Sequence, residues 1–240
     1  MEVDALNIAP KIAPRLALAL LIVPISTSII LPAQAEVSGN IALVSNYMSY
    51  GLSQSKDTPA LQLSISWAGN SGAYLGGWAS QVDFGEGTDL ELSIFAGYFT
   101  EFSKRLSLDI GAAHFAYEGA KVSSSYEYSE IYSLLSTAIL DLGIHYSWDY
   151  FGSGTHYTTL TASRQFPISD LFTLTVGADY SETGDKEKYT NTGESSFVHY
   201  YVSVTKEWIG LQWNLSLHET NMDENETDKA RLITGVSLSF

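Results

Sequence analysis

The chain has 240 residues, of which 45% are hydrophobic and only 16% charged, with no cysteine and a formal charge of −15. That charge excludes a nucleic-acid partner, since a phosphate backbone is bound by a basic surface. The missing cysteines exclude a disulfide framework and a thiolate metal site, and the length suits one large β domain or two small ones.

At the N-terminus Lys11 and Arg15 precede an apolar run, Leu16 to Leu31, and then Pro32-Ala33-Gln34-Ala35. A charged start, an apolar stretch and an A-x-A site read as an export signal over residues 1–35, cleaved after Ala35. The run is short for a bilayer-spanning helix, and no later run is longer. The expected mature domain is 36–240, with no helix holding it in a membrane.

From Glu36 onward the sequence breaks into twelve segments of alternating polarity, the mark of strands with two unlike faces. The first is expected at about Gly39 to Tyr50, with Ile41, Leu43 and Tyr47 on one parity; Leu52 to Thr58 follows as a polar connection. The second carries Leu61, Leu63, Ile65 and Trp67, and the third Tyr74, Trp78 and Val82 against Gly77, Ala79, Gln81 and Asp83. Leu90 to Tyr98 and Leu106 to Ala113 alternate clearly; Glu127 to Thr137 blurs at Leu134-Leu135; Leu142 to Asp149 is clean again. His156 to Arg164 is Thr-rich and ambiguous in facing. Phe172 to Tyr180, Val198 to Val204, Leu211 to Leu217 and Lys229 to Phe240 complete the set.

Connections after even-numbered segments are short, such as Gly69 to Gly72 and Glu207 to Gly210. Those after odd-numbered segments include the three longest: Gly119 to Tyr126, Glu182 to Ser195 and Asn221 to Asp228. Short turns on one side and long loops on the other are the pattern of a bacterial outer-membrane barrel. Alternation alone does not tell a soluble barrel from a membrane one, because the faces merely exchange solvents. The polar parity here is rich in Gly, Ser and Thr and poor in Lys and Glu, unlike a surface in water. The apolar parity carries Trp67, Tyr74, Tyr98, Trp148 and Tyr180 near segment ends, as an interfacial aromatic girdle would. The expected fold is all-β, a transmembrane up-and-down antiparallel barrel of about twelve strands whose every backbone group is paired. Its last strand closes on the first, and Phe240 sits at the interface.

The pattern Gly39-Asn40-Ile41…Ser45-Asn46-Tyr47…Gly51-Leu52-Ser53-Gln54, with Pro59-Ala60-Leu61-Gln62, Trp78, Val82-Asp83-Phe84 and Phe240, resembles the TorF porin family (the Gcw-chp domain) over about residues 36–240. Met48-Ser49-Tyr50 departs from it, since members often carry a bulkier aromatic and an Arg before the Gly. The resemblance implies a Gram-negative outer-membrane barrel and supplies no catalytic residue. The C-terminal aromatic Phe240 resembles a signal read by outer-membrane assembly machinery.

Candidate lumen groups on the polar parity are Asp83, Glu91, Asp109, Glu130, Asp141, His145, Asp149, Arg164, Asp179, His199, Lys206, His218 and Arg231. Acids outnumber bases, so a lumen favouring cations or neutral solutes is expected. The alternative is a plugged interior, with Glu182 to Ser195 and Asn221 to Asp228 binding a partner in a structural or adhesive role. An enzyme is not expected: Ser and His abound, but no G-x-S-x-G elbow marks a nucleophile. No H-E-x-x-H pattern marks a metal centre, and no cofactor is expected. The four carboxylates of Asn221 to Asp228 lack calcium-loop spacing and read as a solvated loop. The expected partners are outer-membrane lipids, the assembly machinery and small solutes.

Overall fold

The structure, a computed structural model, describes residues 36–85, 87–119, 123–189, 193–222 and 230–240. The expected signal segment with Ala35, and most of the acidic 221–228 loop, lie outside the described residues.

The alternating segments are strands: β1 (Glu36–Val44), a short hairpin of β2 (Met48–Ser49) and β3 (Leu52–Ser53), β4 (Ala60–Ala68), β5 (Ala73–Gln81), β6 (Leu90–Ser103) and β7 (Leu106–Glu118). β8 (Tyr128–Thr137), β9 (Asp141–Ser147), β10 (Tyr157–Pro167), β11 (Phe172–Thr183), β12 (Ser196–Trp208), β13 (Leu211–Thr220) and β14 (Arg231–Ser239) follow. The twelve long strands pair antiparallel with their neighbours, and β14 pairs with β1 from Asn40↔Ser239 to Val44↔Gly235, closing the barrel. Beyond that ladder Gly39 and Phe240 exchange backbone hydrogen bonds of 2.7 and 3.0 Å, so no edge is left unpaired at the seam.

Directly opposed residues share a face, so one observation orients the whole sheet. In β4 the outward Ile65 is 59% exposed while Gln62, on the other parity, is 1% exposed. The outward set continues through Leu63, Ile94, Ile110, Ile144, Leu160, Val176, Leu215 and Leu238, all exposed. The inward set combines Ser, Thr, Gln, His and carboxylates with aromatic side chains such as Trp78, Phe95 and Phe115. A water-soluble barrel inverts this arrangement; an outward apolar band around a polar interior is the membrane arrangement. No helix among the described residues is long and apolar enough to cross a membrane.

At the short-turn rim stand Trp67, Tyr98, Phe102, Phe166, Phe172, Trp208, Trp213 and Phe240, all exposed on the outside. Lys206 leans over the rings of Phe172 and Trp208 at 5.1 and 5.7 Å, keeping its stem on apolar surface and its charge at the interface. A two-residue turn joins Trp208 to Leu211 through Ile209 and Gly210, with φ of 52° and 75°, the mirror-type geometry that matches strand twist.

Three expectations are corrected. The first strand ends at Val44, not Tyr50; residues 45–59 turn into the barrel, and Tyr47 is 2% exposed rather than facing lipid. The faces of β5 are exchanged: Tyr74, Trp78 and Val82 point inward, because the ladder sets Leu75, Gly77 and Ala79 opposite the outward Trp67, Ile65 and Leu63. Arg164 and Lys206 lie on outward parity, opposite the exposed Val176 and Phe172. Arg164 bonds the carbonyls of Ala138 and Ile139 at the short-turn rim.

Candidate functional site: the lumen and its inward hairpin

Residues 45–59 leave β1 at the long-loop end and re-enter the bore as the β2–β3 hairpin. Met48 pairs with Ser53 and Ser49 with Leu52 around Tyr50 and Gly51, whose φ values are 47° and 89°. The neck is tied internally: Asn46 Nδ2 donates to Asp57 Oδ1 at 2.6 Å, Ser53 Oγ to Asn46 Oδ1 at 2.7 Å, and the Tyr47 N–H to Ser55 Oγ at 3.0 Å. It is tied to the wall by Arg231–Asp57 at 2.7 Å, by Lys56–Asp83 at 3.1 Å, and by the Asp83 N–H donating to the Gln54 carbonyl at 2.8 Å.

The hairpin bridges the bore. Tyr47 packs edge-on against Trp78 of β5, with centroids 5.4 Å apart, and its hydroxyl is 3.5 Å from Glu91 of β6. Tyr50 lies 5.6 Å from the His145 ring of β9. Gly51 sits so close to His199 and Thr220, on β12 and β13, that a Cβ there would meet them at 2.9 and 2.7 Å. Three widely separated arcs of the wall therefore touch one short hairpin. Burial, and then the charge of Glu91, pushes the Tyr47 phenol well above its ordinary range; burial, and then Glu130 and Asp179, does the same for Tyr50. Both remain neutral hydroxyls.

Below and around the hairpin the inward parity forms polar networks. His145 Nδ1 is 2.8 Å from Glu130 Oε1. Asp179 Oδ2, His199, His218 and Ser216 Oγ make a chain with links of 2.7, 3.0 and 2.9 Å. A carboxylate only accepts, so the chain has one consistent neutral assignment: His199 Nδ1 donates to Asp179, His218 Nδ1 to His199 Nε2, and Ser216 to His218 Nε2. Asp109 accepts from the Tyr74 hydroxyl at 2.5 Å, which in turn is 2.6 Å from Tyr132. Toward the long-loop end Tyr117, Tyr128, Tyr150, Phe151, Tyr157 and Tyr189 pack ring on ring.

Of the residues proposed from sequence, Glu91, Asp109, His145, Asp179 and His218 are buried on inward strand positions, with Glu130 and His199 beside them. Asp141 is half-buried on the same parity at the short-turn end, and Arg231 stands inward at the long-loop end. Asp83 and Asp149 are not lumen groups. Asp83 lies past the end of β5 on its outward parity, exposed and paired with Lys56. Asp149 lies past the end of β9, where its carboxylate accepts from the Gly154 N–H at 2.7 Å. Sequence reasoning missed Tyr47, Tyr50, Asp57, Tyr74 and Trp78. Turn-type composition at Ser45-Asn46 and at Tyr50-Gly51 was the available signal for the first three. Among the described residues no group of three or more His or acidic side chains is arranged to hold a metal ion.

A closed twelve-strand barrel with a lipid-type exterior, a polar bore and an inward hairpin is a porin-like barrel. The chain belongs to the family described as "Bacterial protein of unknown function (Gcw_chp)", matched over residues 32–240. Among solved structures it is similar to one described as KdgM porin in complex with disordered oligogalacturonate, at 14% identity and TM-score 0.56, covering 86% of this chain and 99% of that one. It is similar to the NanC porin, at 12% identity and TM-score 0.56, covering 85% and 99%. It is also similar to the COG4313 outer membrane channel from Pseudomonas putida F1, at 11% identity and TM-score 0.50, covering 88% and 96%. No curated protein sequence matches the chain.

Proposed function

We propose that the protein is an outer-membrane channel of the TorF porin type, passing small neutral or cationic solutes past the hairpin. One observation carries this reading. Among the described residues eight buried side-chain polar atoms have no hydrogen-bond partner, and all belong to residues on inward positions or on the hairpin: Tyr50, Gln62, Trp78, Ser93, Asp109, His145, Ser147 and Ser203. Each such atom in a dry core costs about 1–3 kcal/mol, and eight together would match the whole stability of an ordinary domain, about 5–15 kcal/mol. Water held among the inward side chains removes that cost, and a fully dry interior does not.

The sign of the preference follows from the lining. Glu91, Asp109, Glu130, Asp141 and Asp179 face inward, and Arg231 is the one Lys or Arg on an inward strand position among the described residues. The similar structure described in complex with oligogalacturonate holds an acidic ligand; an acidic bore would repel one. The Asp179–His199–His218–Ser216 chain has the bond order of a base and nucleophile, but Ser216 sits mid-strand, laddered to Ser203 and Ile233. Its backbone N–H groups are spent on that pairing and build no oxyanion hole. The aromatic pack at the long-loop end favours one other reading, a structural or adhesive barrel whose loops bind a partner. Planar-bilayer recording separates the two: channel steps with a cation-selective reversal potential in a KCl gradient are expected. Absence of steps overturns the channel, and an anion-selective potential overturns the preference.

A further inference from the structure

One hydrogen-bonded chain crosses three strands of the wall at the hairpin apex: Asp179 of β11, His199 of β12, and His218 and Ser216 of β13. All four are buried. The links run from Asp179 Oδ2 to His199 Nδ1 at 2.7 Å, from His199 Nε2 to His218 Nδ1 at 3.0 Å, and from His218 Nε2 to Ser216 Oγ at 2.9 Å. The two imidazole planes are 3° apart and their centroids 5.2 Å. With the bonded nitrogens 3.0 Å apart, that is close to the widest centroid spacing two such rings can have. The line between the nitrogens therefore runs within both ring planes, along the lone-pair direction. A bond so aligned lets a proton pass from ring to ring with no heavy atom moving.

In the neutral chain His218 Nδ1 donates to His199 Nε2, and the Ser216 hydroxyl donates to His218 Nε2. One further proton fits without breaking a link. It binds His218 Nε2 as the Ser216 hydroxyl turns from donor to acceptor, and the proton between the rings passes from His218 Nδ1 to His199 Nε2. One N–H bond breaks, at His218 Nδ1, and one forms at each Nε2, so the chain gains a single positive charge. A second proton does not fit, since it would set two N–H groups of like charge against each other across 3.0 Å.

The neighbours decide where the charge rests. Asp179 lies 2.7 Å from His199 and favours a cation there. Arg231 of β14 stands directly opposite His218 in the ladder, tied to Asp57 of the hairpin neck at 2.7 Å, and its charge disfavours a cation on His218. Tyr201 of β12 has its ring 5.4 and 5.9 Å from the two imidazoles. From the hairpin, Gly51 closes on His199 and brings no charge; its neighbour Tyr50 is a phenol, uncharged at neutral pH.

We propose that the Asp179–His199–His218–Ser216 chain is a one-proton switch in the bore. In acid His199 becomes the cation, His218 exchanges tautomer without gaining charge, and the negative charge of Asp179 beside the hairpin apex is cancelled. The proton site stands by itself; its consequence, a cation preference that falls in acid, rests on the channel reading.

The test is nitrogen NMR of the histidine side chains in the detergent-purified barrel, from about pH 8 to about pH 4, a span that brackets ordinary histidine titration. The nitrogen–nitrogen coupling across their hydrogen bond distinguishes this pair from His114, His145 and His156. Both rings are expected to change at one shared midpoint. His199 should end with a proton on each nitrogen, and His218 should carry its single proton on Nε2 instead of Nδ1. Asp179→Asn removes the balancing charge and should abolish the change within this range. The wild-type spectra decide the matter even if that variant fails to fold. A missing coupling, two separate midpoints, two doubly protonated rings, a charge resting on His218, neutral rings throughout, or an unchanged midpoint in folded Asp179→Asn overturns the switch. The spectra need no current: absent channel steps would sink the channel and leave the switch, and steps without the shared midpoint do the reverse.

Discussion

Asp109 faces the bore with one carboxylate oxygen held by the Tyr74 hydroxyl at 2.5 Å and the other without a partner. Removing that hydroxyl strips the carboxylate of its donor and takes a neighbour from Tyr132 as well. Tyr74→Phe should therefore destabilise the barrel by about 1–3 kcal/mol, read as a lower midpoint in urea unfolding; an unchanged midpoint would show that water satisfies Asp109 fully. At the mouth, Asp83 is held below its ordinary 3.8 by its bond from Lys56 and then by the Gly85 N–H. A carboxyl depressed on folding contributes stability above its unfolded pKa and loses it as pH falls through the folded one. The Lys56–Asp83 tie is thus expected to persist at pH 5 and to fail only below 3.8. An NMR titration placing Asp83 at or above that value would refute this, and Lys56→Ala should move it upward.

The hairpin is the constriction of the proposed channel, and Gly51 is its most confined residue. Its φ of 89° and the approach of His199 and Thr220 leave no room for a side chain. Gly51→Val should lift the apex off the wall, costing about 1–3 kcal/mol in backbone strain and raising single-channel conductance. If conductance does not change, the hairpin is not the constriction. The residues carrying the family resemblance, Ser45-Asn46-Tyr47 and Gly51-Leu52-Ser53-Gln54, fall on this hairpin and its neck. Its existence was hard to read from sequence because Tyr47 continues the two-residue period of Ile41 and Leu43. The one mark in that period is the polar Ser45, whose N–H makes the last bond of this ladder, to the Thr234 carbonyl at 2.8 Å. In β5 the same limitation appears from the other side. Tyr74 and Trp78 are the apolar parity and would face lipid by pattern, but Leu75, Gly77 and Ala79 are cross-strand neighbours of outward residues, and that pairing decides.

At the scale of the molecule, the proposed channel would take its selectivity from the charge of the bore, whose turn-side entrance is marked by Asp141, half-buried on inward parity. Asp141→Asn should reduce cation preference, shifting the reversal potential toward zero without unfolding the barrel; an unmoved potential would place the filter wholly at the hairpin. The barrel itself was largely legible. Period-two alternation, turn chemistry and the alternation of short and long connections depend only on neighbours in the chain, and they predicted twelve staves, their order and the closure of β14 on β1. The lumen was legible in part: Glu91, Asp109, His145, Asp179 and His218 lie on inward strand positions, where each strand keeps its two-residue phase around them. Where a chemical group acts across the bore, local pattern has no purchase. Asp57 meets Arg231 across 174 positions, and Tyr50 meets His145 from opposite sides of the lumen. The sequence by itself determined that this chain makes a barrel, which face of most of its strands points outward, and that acids outnumber bases on the other face. Only the tertiary structure decided that a segment of the chain turns back into that interior and what it touches there, because closure brings together residues that no local period relates.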